Sequence, residues 1–230
     1  MANIILQHFD GDLRSLDKLS IENIKQYAKL VGAEYELVRG KPFRKHLTAP
    51  CQKVFMLDEK YDDYDQALML DIDMFAPKGM TENVFDLDGV GINTETQQRL
   101  HREIIGRYSL IANPDYPYWG GAIYKMDKAL RQKLRSALGG NEGWMNNYNR
   151  NMHYEDEGIM HSLAFMSNAK IKNPYLDRRW CQCSFLPNPE KAGFIHMRTK
   201  RPGMLEGSWD NGGKVPKIEN YEELVRRNIL

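Results

Sequence analysis

Residues Gln66-Ala-Leu-Met-Leu-Asp-Ile-Asp-Met-Phe75 form the most apolar stretch of the chain, and it closes around two carboxylates, Asp71 and Asp73. Such a run reads as a strand covered on both faces of a sheet. Strand alternation turns Asp71 and Asp73 to one side and Leu70, Ile72 and Met74 to the other. The pair would then emerge at the C-terminal end of the strand, where open α/β sheets bind ligands. Adjacent like charges repel and lose hydration there. A hard divalent cation carrying a phosphorylated substrate is the expected counter-charge.

The segments before this run supply the rest of a parallel sheet. Asn3–Phe9 reads as a first strand ending in the turn Asp10-Gly11-Asp12. Apolar residues recur at helical spacing from Ser15 to Val31, with Gly32 as the C-cap, and Glu34–Val38 alternates as a second strand. A helix opened by Pro50 is expected over Thr48–Tyr61, before the Asp-containing strand. Strand, helix, strand, helix, strand is the order of βαβ units. The expected fold is therefore α/β, a mostly parallel central sheet flanked by helices with a Rossmann-like first half.

The second half is less regular. A short strand is expected at Gly89–Ile92, a helix over Thr94–Ile105, a strand at Gly120–Lys125 and a helix over Asp127–Leu138 with Asp127 as N-cap. A helix over Tyr154–Asn168, a strand at Gly193–Arg198 and a last helix over Ile218–Ile229 complete the reading.

At 230 residues the chain has room for one sizeable core. Its 32 Lys+Arg nearly cancel its 31 Asp+Glu, which argues against a nonspecific nucleic-acid binder. Three cysteines, Cys51, Cys181 and Cys183, make no disulfide framework and fit a reduced compartment. Cys181-Gln-Cys183 lacks a second Cys/His pair at zinc spacing, so buried or idle thiols are expected. No stretch has the ~20 apolar residues of a membrane span, and the first residues lack signal-peptide features. A cytoplasmic protein is the expectation.

Three further groups bear on chemistry. Gly120-Gly121 begins a strand and permits close approach of another group, though a tight turn explains it equally. Tyr154-Glu155-Asp156-Glu157 opens a helix, where acidic residues favour the dipole, or where one carboxylate acts on an acceptor hydroxyl. Phe194-Ile195-His196-Met197-Arg198, followed by Thr199-Lys200-Arg201-Pro202, puts His196 and Arg198 on one strand face beside the densest basic cluster of the chain.

Asp pair, Gly-Gly strand, acidic helix start and late His with basic residues follow the order of GT-A-type glycosyltransferases, which the chain resembles along most of its length. The likeness extends to small soluble glycosyltransferases encoded by large algal viruses, which would place such a protein in a host cytoplasm. The resemblance implies a single GT-A-like catalytic domain over residues 1–210, with residues 211–230 as a C-terminal tail whose helix packs on it. It implies a nucleotide-sugar donor, UDP-linked by preference, bound with Mn²⁺ or Mg²⁺, and a glycan or glycoprotein acceptor. Asp71 and Asp73 become metal ligands, Asp71 also meeting the ribose, and His196 the third ligand. The family's late "H-F-x-G-x-x-K-P" is one residue shorter here, which leaves Lys200 or Arg201 to meet the phosphates. Gly120 and Gly121 would line the sugar pocket, and Asp156 would be the carboxylate near the transferred sugar. The nucleotide should lie over the end of the first strand, at Gln7, His8 and Phe9. Lys53 could assist it, although a lysine on an amphipathic helix is expected to be solvated.

An Asp-x-Asp at a strand end also serves metal-dependent phosphohydrolases and nucleotidyltransferases. A noncatalytic sugar- or nucleotide-binding module would instead expose Trp119, Trp144 and Tyr148.

Overall fold

β1 (Asn3–Phe9) runs between two parallel neighbours, β2 (Glu34–Arg39) and β3 (Gln66–Leu70), in the computed structural model, which describes residues 2–93, 113, 115–138, 155–199 and 215–230. The expected helix over Thr94–Ile105, together with Trp144, Tyr148, Lys200 and Arg201, lies outside the described residues.

The crossover from β1 to β2 is α1 (Ser15–Leu30), which turns Ile24, Tyr27 and Ala28 inward. Just past its C-cap Val31 stands Gly32, whose φ of +68° is a left-handed value that favours glycine. From β2 the chain crosses back beneath β1 through two short 3₁₀ segments, Pro50–Leu57 and Glu59–Tyr61, where the sequence led us to expect one α-helix. Cys51, Gln52, Lys53, Val54, Met56 and Leu57 are all buried, so this segment has almost no solvated face. Burial on nearly every side leaves it without the amphipathic stripe of a surface helix.

The six-stranded sheet is completed by β6 (Gly120–Asp127), β5 (Gly91–Ile92) and β7 (Tyr175–Leu176), in the order β2-β1-β3-β6-β5-β7. β6 runs antiparallel to both β3 and β5, while β5 and β7 are parallel. The sheet is thus mixed, with its parallel half formed by β1–β3 as expected. α2 (Lys128–Arg135) follows β6 directly, and its N-cap Asp127 accepts the Leu130 amide at 2.7 Å. α3 (Glu155–Met166) packs on the same face.

Alternation along β1 and β3 sends Ile4, Leu6, Ala67 and Met69 to one core, shared with Val54, Leu57, Ile159 and Leu163. Ile5, Leu68 and Leu70 go to the opposite core, beneath Ile24, Tyr27, Trp180 and Phe194. Both faces of β3 are dry, as its uninterrupted apolar run demands. Burying each such Leu or Ile contributes about 1.5–3 kcal/mol.

A small second sheet, β4 (Met74–Phe75), β9 (Ile195–His196) and β8 (Gln182–Cys183), hangs on the end of β3. The last helix, α4 (Lys217–Arg226), packs Leu224 into a third cluster with Leu16, Phe75, Ile195 and Met197. Among the described residues no helix is long and apolar enough to cross a membrane.

Candidate active site

Asp71 and Asp73 do not lie on one straight strand. β3 stops at Leu70, and Asp71–Asp73 form a turn, closed by the Met74 amide on the Asp71 carbonyl at 3.3 Å, from which β4 leaves into the second sheet. The carboxylates converge because the chain bends between two sheets. β9 pairs with β4 in the register Met74↔His196, which brings His196 to the turn from a residue more than a hundred positions away.

The His196 imidazole lies between the two carboxylates, with Nε2 3.2 Å from Asp73 Oδ1 and 3.7 Å from Asp71 Oδ2. Ligand atoms of the three residues lie within 4.8 Å of one another, and among the described residues they are the one His/Cys/Asp/Glu cluster with that property. Two carboxylate oxygens and an imidazole nitrogen form a donor set that could hold a divalent cation. Behind the ring, Cys181 Sγ is 3.8 Å from Nδ1, so this thiol is not idle. Burial pushes the Cys181 thiol up, keeping it protonated. Burial would likewise raise the Asp73 carboxyl, but His196 and the Lys217 ammonium pull it well below the usual carboxylate range.

Lys53 couples this cluster to the acidic start of α3. Its Nζ donates to Asp71 Oδ1 at 2.9 Å and lies 2.8 Å from Asp156 Oδ2, and it also donates to the Gly121 carbonyl. Burial alone would lower the Lys53 ammonium, yet Asp156 and Asp71 raise it overall, so it stays charged. The amphipathic reading of a solvated lysine is overturned: Lys53 is 6% exposed.

Asp156 is buried against β6. Its Oδ2 also accepts the Tyr124 hydroxyl at 3.1 Å. Burial pushes Asp156 up, and Lys53 opposes that push. A Cβ on Gly121 would meet Asp156 Oδ2 at 2.5 Å, which gives the second glycine of the pair a steric reason. The Gly121 amide donates to Glu157 Oε1 at 2.7 Å, and burial raises Glu157 to about 8.

At the end of β1 the expected nucleotide contacts divide. Gln7 is fully buried, and its amide donates to Ser20 Oγ and the Asp71 carbonyl, each at 3.0 Å, while Tyr35 donates to its Oε1 at 2.9 Å. It therefore braces the Asp71 backbone and has no polar atom left to read a base. His8 Nε2 is 2.6 Å from the Gly40 carbonyl, and burial lowers its pKa. Phe9 is partly exposed beneath the Arg39 guanidinium, 5.9 Å from the ring centre. Trp119 is fully buried, with Nε1 donating to the Pro174 carbonyl at 2.7 Å, so it offers no exposed binding platform.

Three participants were missed in the sequence. Glu157 was visible in the acidic cluster but indistinguishable from its neighbours. Tyr124 lies within the Gly-Gly strand motif. Lys217, whose ammonium contacts Asp73 Oδ2, has no local signal at all.

The sequence matches no family model and no curated protein. Solved structures are similar along nearly the whole chain. A glycosyltransferase involved in the glycosylation of the major capsid of PBCV-1 matches with a TM-score of 0.55 at 13% identity, covering 98% of this chain and 100% of that one. The galactosyltransferase LgtC, in complex with donor and acceptor sugar analogs, matches with a TM-score of 0.55 at 15% identity, covering 97% and 95%. An active-site mutant of LgtC matches with a TM-score of 0.52 at 14% identity, again covering 97% and 95%. The chain therefore has the GT-A-like fold of these glycosyltransferases.

Proposed function

We propose that this protein is a metal-dependent glycosyltransferase that moves a sugar from a nucleotide-diphosphate sugar, a UDP-sugar by preference, to a hydroxyl of a glycan or glycoprotein acceptor. The observation that carries the reading is the convergence of Asp71, Asp73 and His196 at the end of β3, in a fold shared with glycosyltransferases. These three residues would hold Mn²⁺ or Mg²⁺. When bound, such an ion supplies positive charge for the diphosphate that leaves the anomeric carbon.

The chain's own groups supply the remainder. Asp156, fixed by Lys53 and Tyr124 beside Gly121, is assigned to orient the transferred sugar or the acceptor hydroxyl. Gly120 and Gly121 are assigned to the lining of the sugar site, and the missing side chain of Gly121 leaves room for Asp156. Lys53 holds Asp71 and Asp156 in one geometry, and Gln7 fixes the backbone of Asp71 from below. His8 and Phe9 form the strand end over which the nucleotide is placed, while Lys200 and Arg201 are assigned to its phosphates. Residues 1–210 are read as the catalytic domain and 211–230 as a docked tail.

The test is release of nucleoside diphosphate from a panel of UDP- and GDP-sugars, with Mn²⁺ or with chelator. Release that needs the metal and disappears in Asp73→Asn supports the reading. Release of pyrophosphate or inorganic phosphate, or none across the panel, overturns it.

A further inference from the structure

Lys217, the first residue of α4, contacts Asp73 through Oδ2, while Asp73 Oδ1 faces His196. The tail thus places an ammonium on one of the three ligands that would hold a divalent cation. The helix has anchors besides this contact. Leu224 and Ile229 are buried in the third core cluster, Asn220 Nδ2 donates to the Arg198 carbonyl at 2.7 Å, and the Ile229 carbonyl accepts the Lys78 amide at 2.7 Å. The Lys217 side chain retains 30% exposure against 9% for Asp73, so it has a path to water that the carboxylate lacks.

An isolated carboxylate that deep would be costly, so Asp73 needs a cation partner in every state of the protein. A divalent ion and an ammonium on the same carboxylate repel strongly in a water-poor site. We propose that Lys217 is a tethered counter-ion of the cation site: it holds Asp73 in the metal-free protein and swings into solvent when a divalent ion takes the carboxylate. The inference rests on the reading of Asp71, Asp73 and His196 as a cation site. Metal loading is then an ion exchange, and the first turn of α4 both opposes it and responds to it.

The test uses Mn²⁺ alone, titrated into the full chain by calorimetry and by the paramagnetic resonance signal of free Mn²⁺. Lys217→Gln should bind Mn²⁺ roughly three- to fivefold more tightly than the wild type, the upper range of a partly exposed ion pair. Lys78→Gln removes the same charge at the far end of α4, where Lys78 contacts Asn228, and should leave affinity within about twofold. Hydrogen exchange should quicken in the first turn of α4 on adding Mn²⁺ to the wild type, and not change further in Lys217→Gln. If Lys217→Gln binds like the wild type, or no tighter than Lys78→Gln, the exchange is wrong while the cation site stands. If the wild type binds no Mn²⁺, or Asp73→Asn binds it equally, the cation site falls and the exchange with it.

Discussion

Asp156 occupies the space that a side chain at Gly121 would need: its Oδ2 lies 2.5 Å from the position of a Cβ there. The backbone of Gly121 has no left-handed φ, so the requirement comes from the neighbour and not from the chain's own conformation.

Gly121→Ala should therefore fold but displace the Asp156 carboxylate. Overpacking of this kind costs about 1–3 kcal/mol, and sugar transfer should fall about 100-fold from misplacement alone. Denaturant melts beside initial rates check both; unchanged rates would remove the contact from the site.

Asp156→Asn keeps the shape of the side chain and the acceptor oxygen for Tyr124. It should lower turnover by about 10²- to 10⁴-fold while changing donor affinity little. Measured donor binding that collapses alongside normal turnover of bound donor would assign Asp156 to binding.

Lys53→Met leaves Asp71 and Asp156 without the ammonium between them. Losing one partner of a buried ion pair costs about 3–5 kcal/mol. Lys53→Met/Asp156→Leu should recover part of that loss in urea unfolding, because the more deeply buried carboxylate goes too. No recovery would show that the Lys53 chain acts through packing alone.

Glu157 sets a pH dependence. Its folded-state pKa is raised from 4.5 to about 8, chiefly by burial, so the folded protein keeps a proton that the unfolded chain loses. Stability should fall as pH rises from about 4.5 to about 8, with the cost fully present above that window. Glu157→Gln can still accept the Gly121 amide but carries no proton to lose. The stability of this variant relative to the wild type should climb between pH 5 and 9. Unfolding midpoints across that range read the slope directly, and a flat difference would mean that Glu157 titrates as an ordinary carboxylate.

His196→Ala removes the nitrogen that lies between the two carboxylates. Mn²⁺ affinity should drop about 10- to 100-fold, and because the ring is buried between Asp73 and Cys181 the melting temperature in chelator should fall as well. An unchanged metal titration would make His196 structural.

Local pattern was enough for the elements that carry their own periodicity. β1 has the bounds expected of Asn3–Phe9, a short apolar run closed by a turn, and α1 ends within a residue of the expected Val31, because an amphipathic helix writes its period into nearby residues. The segment Pro50–Leu57 misled for the opposite reason: a stretch buried on nearly all sides has no period to read. The apolar run before Asp71 announced a doubly covered strand, and both of its faces are indeed packed.

What the amino-acid order determined alone was the set of chemical groups and the strand that delivers them: two carboxylates just past β3, a late histidine, an acidic helix start, a pair of glycines. Which of these meet was decided only by tertiary structure. The bend from β3 into β4 aims Asp71 and Asp73, the β4–β9 register delivers His196, and burial turns Lys53 from a surface cation into the bridge between Asp71 and Asp156. The same long-range packing tied Gln7 to the Asp71 backbone and brought in Lys217. The reason is physical: a side chain's type is local, but its partner and its dielectric surroundings belong to residues far along the chain.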